Sequence, residues 1–81
     1  MNIQLIHGQF NQQEAIELIT QLVQVKIKYH EKKIHQTSHE EDIKMREKRI
    51  KQLQQELAEA RQYLLSNGEK VNLNSDIQLA G

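Results

Sequence analysis

Between Ile43 and Leu64 the apolar residues repeat every seven positions: Ile43, Ile50, Leu57 and Leu64, with Leu53 and Ala60 at the intermediate steps. This a/d spacing predicts a helix that packs along one narrow stripe, because nearly every other residue in the stretch is charged or Gln. Arg46 stands at the first intermediate position, so the seam turns polar at that end.

Upstream, the pattern is broader. Ala15, Leu18, Leu22, Val25 and Tyr29 form one helical stripe, and Ile16, Ile19, Val23, Ile27 and Ile34 form a second. At about 100° per residue the two merge into an arc of roughly half the circumference, more than a single neighbouring helix covers. Asn11 with Glu14 three residues on makes a capping box, and Phe10 can staple onto Ala15. A first helix is therefore expected over about 12–35 and a second over about 39–66. Gly68 is placed to end the second helix in a left-handed conformation.

The join falls at Gln36 to Ser38, where Ser38 with Glu41, or Thr37 with Glu40, offers a second capping box. One competing expectation is a single long coiled-coil helix, since the heptad phase runs unbroken back through Gln36, Tyr29, Leu22 and Ala15. That seam would carry Lys32, Gln36, His39 and Arg46 in succession, which favours the turn. Acid-first pairs four apart, Glu40–Lys44, Asp42–Arg46 and Glu47–Lys51, support the second helix.

At the ends the period changes. Ile3 and Leu5 alternate with polar residues up to His7-Gly8, predicting a strand over about 2–6. Val71, Leu73, Ile77 and Leu79 alternate over about 70–79, with Asn74-Ser75-Asp76 as turn chemistry between them. The chain thus reads as one mainly α domain over 1–81. It has a strand arm at 1–8, an antiparallel αα-hairpin at 11–66 and a β-like tail at 69–81, with the two terminal segments free to pair.

Composition narrows the function. An 81-residue core without cysteine has no disulfide or thiolate metal site to support it, which raises the weight of oligomerisation. A homodimer forming a four-helix bundle is the leading expectation, with Ile16, Ile19, Leu22, Val23, Lys26, Ile27 and His30 as its interface. The intrachain seam is then Ile43, Arg46, Ile50, Leu53, Leu57, Ala60 and Leu64. Positions whose numbers sum to about 75 face each other across such a hairpin. This levels His30 with Arg46 and predicts a polar layer near the turn.

Net charge is zero, but it is segregated: Lys26, Lys28, Lys32 and Lys33 stand against Glu31, and Lys44, Arg46, Lys48, Arg49 and Lys51 against Glu47. Nucleic-acid contact through Lys28, Lys32, Lys33, Lys44, Lys48, Arg49 and Lys51 is the alternative function. It is disfavoured by the acidic Glu40-Glu41-Asp42 run and by the scarcity of aromatics.

His35 and His39 have metal-ligand spacing on a helix, but the expected turn separates them. With no activated nucleophile, carboxylate pair or phosphate-binding glycine loop, neither an enzyme nor a cofactor is expected. No apolar run approaches membrane-spanning length, and the expected location is cytoplasmic. The sequence thus predicts a non-enzymatic structural or protein–protein interaction module.

Overall fold

A computed structural model describes residues 1–67 and 69–81; Gly68, expected to terminate the second helix, lies outside the described residues. The element order is β1 (Asn2–Asn11), α1 (Gln12–Gln36), α2 (Glu40–Ser66) and β2 (Lys70–Gln78). The two helices form a hairpin, and the strands pair antiparallel at its open end.

Local chemistry sets each boundary. At the start of α1 the Asn11 side chain accepts from the Glu14 amide at 2.8 Å, and the Asn11 amide donates back to Glu14 Oε1 at 3.3 Å. This reciprocal box satisfies two of the amides that a helix start leaves unpaired. The α1–α2 break is real, with Thr37 in extended conformation at φ −119°, ψ 151°. No capping box forms at the start of α2, contrary to the Ser38 and Thr37 expectation. The N-cap is His39, which makes no side-chain cap. Thr37 Oγ1 instead accepts from the His39 amide at 3.2 Å, spending its hydroxyl on the turn. Glu40, Glu41 and Asp42 fill the first turn of α2, where the helix dipole favours acids. At the far end, Ser66 Oγ and Asn67 Nδ2 donate to the Gln62 and Tyr63 carbonyls at 2.9 and 2.7 Å, taking up acceptors that the end of a helix exposes.

Both strands depart from the alternation reading. β1 does not stop at His7-Gly8 but runs on to the helix cap, and Asn74-Ser75-Asp76 makes no turn but lies within β2. One irregularity explains both. Gln4 pairs with Asp76 and Ile6 with Ser75, leaving Leu5 as an extra residue in β1. Such a bulge flips the strand's phase. It lets Ile3, Ile6, Gly8 and Phe10 share the face of their partners Ile77, Ser75, Leu73 and Val71. Simple alternation would put Ile3 and Ile6 on opposite faces. Gly8 sits in the run at φ +144°, a conformation that side chains resist.

The helices are tied to the sheet through Gln12, whose amide donates to Glu69 O at 3.0 Å and whose side chain donates to Leu64 O at 2.7 Å. Burial is thin. Ala15 is fully enclosed and Leu53 and Leu64 are nearly so, but no large side chain among the described residues is completely buried.

Candidate functional site

Facing residues fix the sides of α1. Gln12 reaches Leu64, Ile19 shares a groove with Ala60 and Leu64, and His30 bonds Arg46, so this side of α1 is turned to α2. Ile16, Val23, Ile27 and Ile34, on or near the same side by helical period, are half-buried. On α2, Ile43, Arg46, Ile50, Leu57 and Ala60 are half-buried beside the buried Leu53 and Leu64. Of the residues expected to recruit a second chain, Ile16, Ile19, Val23, Ile27 and His30 are thus at least half-covered within one chain, whereas Leu22 and Lys26 are exposed.

The flank of α1 next to this seam stays open. Ala15 starts the stripe enclosed and Leu18 is half-buried, but Leu22, Val25 and Tyr29 are 36%, 69% and 46% exposed. The face expected from Ile16 to His30 therefore lies one stripe over from the one that is uncovered. Helical periodicity alone could not choose between them, because both stripes recur at the helical repeat and both are apolar.

Around Tyr29 the charges gather. Lys26 Nζ lies 4.9 Å, Lys33 Nζ 5.7 Å and the Arg46 guanidinium 5.8 Å from the ring centroid, and His30 meets its edge. Each cation gains from the ring's negative face. Beneath them, His30 is buried, and Arg46 donates to its Nδ1 at 3.0 Å. Burial first, then the charges of Lys26, Arg46 and Arg49, hold the imidazole below its ordinary pKa. Arg46 also pairs with Asp42 at 3.3 Å, the acid-first pair expected there.

The remaining basic residues do not converge. Lys28 and Lys32 are exposed on the side of α1 away from α2, while Lys44 and Lys51 fall on the outer side of α2, opposite Leu53, and Lys48 lies on its flank. Lys48 and Arg49 border a 330 Å³ groove with His30, Met45 and Gln52, but Arg49 is engaged by Glu56 at 3.5 Å. The seven cations expected to contact nucleic acid therefore face different directions. His35 and His39 are exposed on either side of the turn, and no three potential metal ligands cluster among the described residues.

A second, larger groove of 430 Å³ runs under the sheet between Ile19, Tyr63, Leu64, Val71 and Leu73. No described helix is long and apolar enough to cross a membrane. The chain matches no protein-family model, no curated protein and no solved structure.

Proposed function

We propose that this chain is a non-enzymatic structural module that works by helix-face packing and is completed by association with itself. One observation carries the reading: the single chain leaves too much of itself in water. It exposes 6570 Å², where a folded monomer of this mass exposes about 5,000 Å². Its radius of gyration is 15.2 Å, against about 12 Å for a compact domain of this length. The excess, about 1,500 Å², exceeds the roughly 800 Å² that each partner loses in an ordinary stable interface.

The reading has the two hairpins form a homodimeric four-helix bundle, with coiled-coil-like packing along the helices. Another protein could use the surface that remains. The reading needs no cofactor, and a cysteine-free chain fits the cytoplasm. Light scattering and sedimentation at micromolar concentration test it. A dimer, or a higher homo-oligomer, is expected; a well-folded, stable monomer would overturn it.

A further inference from the structure

Resting on that self-association, we propose that the interface is the open stripe of α1, Leu18, Leu22, Val25 and Tyr29. It is occupied by the same stripe of a second copy, running antiparallel about a two-fold axis between Val23 and Gln24.

Three observations converge. First, the stripe is self-complementary. Its spacing of four, three and four residues reads the same in both directions. Antiparallel pairing about its midpoint therefore sets Leu18 against Tyr29 of the second copy and Leu22 against Val25. In an antiparallel two-fold contact residue i meets j and j meets i, and this spacing brings an apolar residue against an apolar residue at every step. The four–three spacing also suits near-parallel helix packing.

Second, α1 is charge-polarised. From Gln12 to Val25 it carries Glu14 and Glu17 and no cation; from Lys26 onward it carries Lys26, Lys28, Lys32 and Lys33 against Glu31. Antiparallel pairing lays the acidic half of one copy along the basic half of the other, with Glu14 level with Lys32 and Lys33. Parallel pairing would stack like on like. Among the described residues, Lys26 and Lys33 make no ion pair within the chain and rest only on the Tyr29 ring.

Third, the stripe is the exposed apolar row of α1. Leu22, Val25 and Tyr29 are exposed side by side, whereas the facing stripe is spent on α2. Burying both copies' stripes would draw on the roughly 1,500 Å² of surplus area, enough for an ordinary interface.

Because the chain contains no cysteine, disulfide trapping is clean. Leu22→Cys and Val25→Cys are made separately, mixed in equal amounts and oxidised. Both positions are exposed in the single chain, so neither variant disturbs the hairpin core. The expected product is the mixed dimer, in which one Leu22→Cys chain is linked to one Val25→Cys chain, in excess over either variant cross-linked to itself. Self-linked products in each variant alone would mean parallel packing and overturn the proposal. A dimer by light scattering that gives no cross-link at either position would place the interface elsewhere and overturn it too, while leaving self-association standing. A monomer would remove both.

As a second measurement, Val25→Glu should raise the dimer Kd at least about tenfold with the helical circular dichroism unchanged. Met45→Glu, at an exposed position on α2, should leave Kd as it is. An unchanged Kd for Val25→Glu, or tighter binding of an unrelated helix than of the second copy, would also sink the idea.

Discussion

Arg46 donates to His30 Nδ1 at 3.0 Å across the helix pair, and that single bond fixes the chemistry of the turn-proximal core. A guanidinium has no acceptor, so the imidazole nitrogen facing it must be the lone-pair one. His30 is therefore neutral, with its proton on Nε2. That N–H is buried and has no hydrogen-bond partner among the described residues. The helices thus close near the turn on a polar layer with cations on both sides, Lys26 from α1 and Arg46 and Arg49 from α2.

Acid should loosen this layer. His30 ionises in the folded chain below its ordinary value of 6.5, so the unfolded chain binds more protons between the two values. Stability from this group is full above 6.5 and is lost as pH falls through the folded value. Carboxylates also titrate at low pH, so the informative quantity is a difference. In urea denaturation, His30→Phe should gain on the wild type as pH drops from about 7.5 to about 5.5. A gap that does not change with pH would contradict the neutral assignment.

Leu53 is the most enclosed side chain at the middle of the α2 seam, 7% exposed. Leu53→Ala should cost about 2–4 kcal/mol, from lost burial and a cavity that the neighbouring helix fills only partly. Leu65→Ala, at a position 64% exposed, should stay within about 0.5 kcal/mol. Chemical denaturation of the two variants side by side is the check.

Asn11→Ala removes the acceptor for the Glu14 amide and should lower stability by about 1 kcal/mol. Amide exchange should rise in the first turn of α1 ahead of the rest of the helix. If exchange rises evenly along α1 instead, the cap is not acting locally.

Gly8→Ala isolates backbone conformation from packing. A Cβ there would meet nothing within 4 Å, but φ is +144°. The expected loss of about 1–3 kcal/mol is therefore conformational alone. It should appear in the thermal unfolding of the strands, and Gly8→Asn should not repair it, because this φ lies outside the left-handed region that Asn tolerates.

What was legible in the chain was whatever depends on neighbours in sequence. The Asn11–Glu14 box, the helix bounds to within a residue, the break near Thr37 and the heptad of α2 all follow from contacts a few residues apart. Those are the distances over which side-chain chemistry speaks directly to the backbone. The pairing of His30 with Arg46 was also readable, because a tight turn leaves little freedom in how two helices register. The second capping box was not, since three polar residues competed for one turn and Thr37 took the His39 amide.

Only the tertiary structure decided which of the two apolar stripes of α1 faces inward and how the strand phases agree. Both stripes have the period and the hydrophobicity to be core. The choice came from the crossing with α2, which seats Ile19 and His30 and leaves Leu22, Val25 and Tyr29 in water. In the sheet, Ile3 and Ile6 cannot share a face by alternation, and no local signal marks Leu5 as the residue to be left over. The bulge appears because pairing with β2 rewards one shared apolar face more than an unbroken ladder. Local order was written in the sequence; the choice between two apolar faces of the same period required the partner element to be in place.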